Sequence, residues 1–172
     1  DGRSGMSQTP ISLIVNGARV SALVEPRLTL ADFLRQNLDL TGVHLGCEHG
    51  VCGACTMLLN GDIVRGCCVL AVQAHGGEVT TIEGADGDAL TRALQSAFHE
   101  RNALQCGFCS PAMVLTARAL LQENPHPTRE EIRDHLSGNY CRCTGCQAIV
   151  DAVETVSRQR EGAPACAATA RI

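Results

Sequence analysis

The chain has 172 residues, among them 11 cysteines, three phenylalanines, one tyrosine and no tryptophan, and a formal net charge of −4. Without a basic cluster it is not expected to bind nucleic acid. Its most apolar run, Met113 to Leu121, is broken by Arg118 and falls far short of the ~20 residues that span a bilayer. A core so poor in aromatics must be built from Leu, Val, Ile and Ala, and small cores of that kind are marginal without a staple such as bound metal.

Taken in order, residues 1–5 (D-G-R-S-G) precede Met6 and read as a ragged or extraneous start without a secretory leader. Many cysteines, odd in number and without a leader, argue against a disulfide framework and for a reducing compartment, the cytoplasm being expected. Ile11 to Val15 and Ala18 to Val24 are β-type runs around the hairpin signal Asn16-Gly17. Thr29 and Asp32 resemble a capping box, and Leu30, Phe33, Leu34 and Leu38 stripe the short helix that follows. After a glycine-rich loop come Thr56–Leu59, a second Asn-Gly turn at Asn60-Gly61, Ile63–Arg65 and a last strand, Val79–Ile82. Two strands, a helix and three more strands predict a β-grasp domain over 6–82.

The loop in the middle of that domain carries the chemistry. Cys47, Cys52 and Cys55 have the spacing C-x4-C-x2-C, with Cys67 at the end of the next hairpin. That is the plant-type [2Fe–2S] spacing. Two sulfide-bridged irons need four converging thiolates, and one loop supplies three of them only by folding back on itself. Gly42, Gly46, Gly50 and Gly53 are expected to permit this and to bring backbone N–H groups up to sulfur. A zinc knuckle would place two C-x2-C pairs roughly 15–20 residues apart, whereas the pairs here begin at Cys52 and Cys106.

Residues 83–88 (E-G-A-D-G-D) read as a linker, after which the apolar period changes from two to about 3.6. Leu90, Leu94, Ala97 and Phe98 stripe a helix that Asp88 is placed to cap. Ala112 to Leu121 is apolar almost all round, the mark of a buried helix, and Pro125 and Pro127 stop it. Thr128 and Glu131 form another capping box, and Ile149, Val150, Val153 and Val156 stripe the last helix. These predict a four-helix domain over 89–158 and a tail over 159–172. Within this half Cys106 and Cys109 precede the buried helix, and Cys141 and Cys143 precede the last one. Helix N-termini favour thiolates and anionic groups. Each pair is weak alone, but together they make a second four-sulfur set.

With the motifs G-C-E-H-G-V-C-G-A-C, V-R-G-C-C, L-Q-C-G-F-C-S-P, E-N-P-H-P-T and G-N-Y-C-R-C-T-G, the chain from about Ile11 to Val156 resembles the small iron–sulfur subunits of molybdenum hydroxylases, the xanthine oxidase family. The resemblance implies an α+β chain: a plant-type ferredoxin-like β-grasp domain, then a helical-bundle [2Fe–2S]-binding domain. It implies that Cys47, Cys52, Cys55 and Cys67 hold one [2Fe–2S] cluster, and Cys106, Cys109, Cys141 and Cys143 the other. It also implies that the second cluster lies nearer molybdopterin, with Gln105 touching the pterin and Cys143 near its amino group. The partners implied are a large molybdopterin subunit and a medium FAD subunit, a dimer of such heterotrimers being one expected assembly. The function implied is to pass electrons from the molybdopterin site to FAD during substrate hydroxylation, with no substrate-converting site on this chain.

Three positions depart from the family pattern. Cys68 replaces a bulkier apolar residue and competes in principle with Cys67, Cys146 replaces a common Tyr, and S-P-A at 110–112 replaces T-P-G. Cys68 and Cys146 are expected to be buried spare thiols, the usual state of a lone cysteine, and Cys166 a free thiol in the tail. His44, His49, His75, His99, His126 and His135 have no H-x3-H spacing and are expected at solvated positions. A free-standing two-cluster ferredoxin and a zinc scaffold are the alternatives. The first leaves the helical half and Gln105 without a task, and the second predicts a colourless protein.

Overall fold

The computed structural model describes residues 8–161. Strand β1 (Thr9–Val15) buries Ile11, Leu13 and Val15 on one face, as an alternating pattern requires. It pairs antiparallel with β2 (Ala18–Val24) through Asn16 and Gly17, both at positive φ (51° and 81°), which suits a two-residue hairpin turn. Helix α1 (Leu30–Asn37) is capped by the Thr29 hydroxyl, which accepts from the Asp32 amide at 3.1 Å, and it buries Leu30, Ala31, Phe33 and Leu34. Strands β3 (Thr56–Leu59) and β4 (Asp62–Arg65) form a second hairpin at Asn60-Gly61. Two 3₁₀ turns, Gly66–Cys68 and Ala71–Ala74, lead to β5 (Glu78–Thr80).

The sheet order is β2-β1-β5-β3-β4, with β5 parallel to β1 and antiparallel to β3. A mixed five-stranded sheet gripping one helix is the β-grasp arrangement. Its core gathers Ile11, Leu13, Phe33, Leu34, Met57 and Val79, each nearly inaccessible. Burial of such side chains stabilises by about 1.5–3 kcal/mol each before conformational entropy is counted.

The stretch expected as a linker is instead folded. Helix α2 (Ile82–Ala85) occupies it, Ala85 is buried, and the Glu83 carboxylate accepts from the Gly42 amide at 2.8 Å. The strand expected to reach Ile82 stops at Thr80, because Thr81 turns away to bond with Asn16 at the β1–β2 turn. A second core belongs to α3 (Ala89–Glu100), α4 (Ser110–Glu123), α5 (Arg129–Leu136) and α6 (Gln147–Glu161). Asp88 caps α3 by accepting from the Thr91 amide at 3.0 Å, and Thr128 with Glu131 forms the capping box of α5. Helix α4 is buried along most of its length, and its Arg118 pairs with Asp88 at 3.0 Å.

Helix α6 runs on through residues 159–161, which were expected in the tail. Arg, Gln and Glu are good helix formers, the Arg160 guanidinium donates to the Leu121 carbonyl at 2.9 Å, and Arg158 pairs with Glu154. The expectations for residues 1–5 and for Cys166 lie outside the described residues.

Candidate metal centres

Three thiols of the first set, Cys47, Cys52 and Cys55, come from the loop between α1 and β3, and Cys67 comes from the 3₁₀ turn after β4. Gly50 and Gly53 have φ of 84° and 74°, the left-handed region that turns the chain back on itself. Gly46 has no left-handed φ and serves the other expected purpose: a Cβ there would stand 3.1 Å from Cys52 Sγ, so its use is close approach to sulfur. Likewise Gly42 leaves room for Ile82 and Glu83. The Cys52 amide donates to Cys47 Sγ at 3.3 Å. With further bonds from the His49 and Val51 amides, that donor lowers the Cys47 thiol to about 6. Cys55 and Cys67 come from the buried side, and burial pushes the Cys55 thiol up to about 12.

The second set lies between helix ends. Cys109 is the N-cap of α4, and burial raises its thiol to about 12. For Cys141 burial opposes ionisation, but the Thr144 hydroxyl at 3.1 Å and amide at 3.4 Å outweigh it and hold the thiol below its ordinary range. Cys106 and Cys143 are exposed, their sulfurs 3.5 Å apart. Gln105, exposed beside them, donates from its side-chain amide to the Cys143 carbonyl at 3.1 Å. The structure therefore brings Gln105 and Cys143 together at the surface.

Cys106 and Cys143 are in sulfur contact, Cys47 Sγ receives the Cys52 amide, and Cys67 beside Cys55 and Cys141 beside Cys109 push those two thiols up further. Among the described residues no three His, Cys, Asp or Glu side chains group closely enough to hold a single metal ion. A two-iron unit has another requirement, two thiolates at each iron, and soft sulfur donors suit it. Amide and hydroxyl donors already aimed at Cys47 and Cys141, with buried thiols that ionise only against a compensating cation, fit the same group.

Several other positions differ from expectation. Cys68 is exposed, and Cys146 is half-buried at a positive φ of 65°; neither is a buried spare thiol. Cys68 Sγ lies 3.7 Å from Cys67 Sγ and would be 2.8 Å from a Cβ on Gly50, so it borders the first set from the solvent side. His44 is not simply solvated: its ring stacks on Phe108, with centroids 4.7 Å apart, and its Nδ1 lies 2.6 Å from the Phe108 carbonyl. His75 Nδ1 accepts from the Ser12 amide at 3.0 Å, His49 Nδ1 meets the Cys47 carbonyl, and His135 keeps a buried ring nitrogen without a hydrogen-bond partner.

The two sets are directly joined. The Tyr140 amide, next to Cys141, donates to the Cys52 carbonyl at 2.9 Å. Around that link Asn139 forms hydrogen bonds with Thr56 and Arg65 across the seam between the halves, and Thr116 of the helical half donates to Asn139. None of these four residues was singled out from sequence as a site residue. Lone Asn, Thr and Arg residues carry no periodic signal, and their partners stand 83 and 86 positions away for Asn139. Among the described residues no helix is long and apolar enough to cross a membrane.

Comparison with known proteins gives concordant findings. A 2Fe-2S iron-sulfur cluster binding domain family matches residues 13–78, and a [2Fe-2S] binding domain family matches residues 81–154. The caffeine dehydrogenase subunit gamma of Pseudomonas sp. (strain CBB1) is 49% identical over 159 residues, 91% of this chain and 95% of that protein. The nicotine 6-hydroxylase small subunit of Paenarthrobacter nicotinovorans is 51% identical over 150 residues, 87% of this chain and 90% of its own. Among solved structures, quinoline 2-oxidoreductase from Pseudomonas putida 86 superposes with a TM-score of 0.84 at 48% identity, covering 91% of this chain and 98% of that one.

Proposed function

From the premise that the chain belongs to the small iron–sulfur subunits of molybdenum hydroxylases, we propose that it conducts electrons between two partner subunits. The path runs from molybdopterin on a large partner, through two [2Fe–2S] clusters, to FAD on a medium partner, while the partner hydroxylates substrate. When bound, each cluster supplies a one-electron couple. We assign one cluster to each half, over residues 6–82 and 89–158, with 83–88 between them. Cys47, Cys52, Cys55 and Cys67 would hold the first cluster. Cys106, Cys109, Cys141 and Cys143 would hold the second.

The single observation that carries this proposal is the pair of four-thiol sets joined by the Tyr140 amide and the Cys52 carbonyl at 2.9 Å. The chain's own residues then act as electrostatic and spatial controls. The Cys52 amide and the Thr144 hydroxyl donate to sulfur and favour added negative charge there. Buried Cys55 and Cys67 keep water from the inner side of the first set. Exposed Cys106, Cys143 and Gln105 form the face offered to molybdopterin, beside half-exposed Leu104 and Phe108. Such an apolar rim suits a docked partner better than a free-standing ferredoxin.

Cys106→Ser in the assembled complex tests the proposal. It should remove one of two reduced-cluster signals in electron paramagnetic resonance (EPR) and stop substrate-driven flavin reduction. Unchanged spectra and turnover would reject both the ligand and the path.

A further inference from the structure

The seam between the two halves holds a buried polar knot that ligation does not require. Asn139 and Thr56 are each 3% exposed. The Asn139 side-chain amide donates to the Gly53 carbonyl at 3.0 Å and to Thr56 Oγ1 at 3.1 Å. Its oxygen accepts from Thr116 Oγ1 at 3.2 Å and from the Arg65 guanidinium at 3.3 Å. The Gly53 acceptor and the Arg65 donor leave only one orientation for that amide. Thr56 Oγ1 uses its whole capacity, donating to the Gly53 carbonyl at 2.5 Å while accepting from Asn139 and Arg65. Arg65 also donates to the Gly138 carbonyl at 2.7 Å.

Glycine makes the fit close. A Cβ on Gly53 would collide with the Gly138 carbonyl and stand 2.9 Å from Asn139 Cα, and a Cβ on Gly138 would stand 2.6 Å from Arg65 Nη2. Cohesion alone does not call for this design, since apolar packing of equal volume holds a seam at least as well. Hydrogen bonds add direction: each fixes an angle and a register that apolar contact leaves free. What they register is specific. Gly53 lies between Cys52 and Cys55, and Asn139 lies two residues before Cys141.

Resting on the electron-transfer role proposed above, we infer that Asn139, Thr56 and Arg65 are positioning residues that lock the first cluster loop to the second and so set the coupling between clusters. Thr56→Val, nearly isosteric, and Asn139→Ala in the full assembled protein test this, with Thr56→Ser as the conservative control. Iron content and the two reduced signals are measured first, then the spin–spin splitting between the reduced clusters at low temperature. The parent and Thr56→Ser should show a resolved splitting. Thr56→Val and Asn139→Ala should keep both clusters and lose it. Parental splitting in either variant that assembles both clusters overturns the inference, as does a parent with no splitting. Loss of a cluster in both variants also overturns it, making the knot an assembly feature. An iron-free parent chain would instead overturn the electron-transfer role itself.

Discussion

At the scale of single residues, neighbouring thiols differ because their surroundings differ. Cys47 is lowered to about 6 by backbone donors, whereas Cys55, from the same loop, is raised to about 12 by burial. At neutral pH Cys47 ionises unaided, whereas Cys55 ionises only against a compensating cation, so metal capture and folding become linked. Cys68 tests how selective the site is. Its sulfur is near Cys67, but it faces solvent while Cys67 is buried. Cys68→Ser should leave both reduced-cluster signals in place; loss of the first would show that Cys68, and not Cys67, is the fourth ligand. The spacing of the eight proposed ligands was legible in the sequence because ligand geometry constrains short runs of chain. The exposure of Cys68 was not, since the turn at Gly66–Cys68 alone decides which of two adjacent sulfurs points inward.

At the scale of elements, the capping signals at Thr29, Asp88 and Thr128 were legible because a cap is a local contract between residues three apart. Asp88 does more than its local signal says, since it also receives Arg118 of α4 at 3.0 Å and so ties the start of α3 to the buried helix. Burial opposes its ionisation, but the Arg118 and Thr91 donors outweigh this and hold its carboxyl below the usual carboxylate range. A lowered carboxylate contributes stability that is present above the unfolded value and is lost as pH falls through the folded one. Asp88→Ala should cost about 1–2 kcal/mol at neutral pH, measured by denaturant unfolding of the loaded protein. The gap from the parent should narrow as pH drops below about 4; a gap independent of pH would contradict the ionic part of the account. Helix α2 was hidden because four residues are too few to show a period, and its burial depends on distant Asn16 and Gly42.

At the scale of the whole molecule, two small cores meet along a seam and each supports one four-thiol set. The β-grasp order and the helical half were legible from periodicity, because each buries its own apolar face. The seam was not: His44 on Phe108, Tyr140 on Cys52 and the Asn139 knot all join positions far apart in sequence, where no pattern announces a partner. In the proposed electron-transfer role the seam joins the two halves into one conductor, and it is the part of the molecule that a ferredoxin half alone would lack.

Iron and acid-labile sulfide quantitation on anaerobically prepared protein, followed by EPR after dithionite reduction, bears most directly on that conductor. About four irons and about four sulfides per chain, with two distinguishable reduced signals, are predicted for two [2Fe–2S] units. Fewer than about two irons, a single signal, or zinc in place of iron would contradict the account.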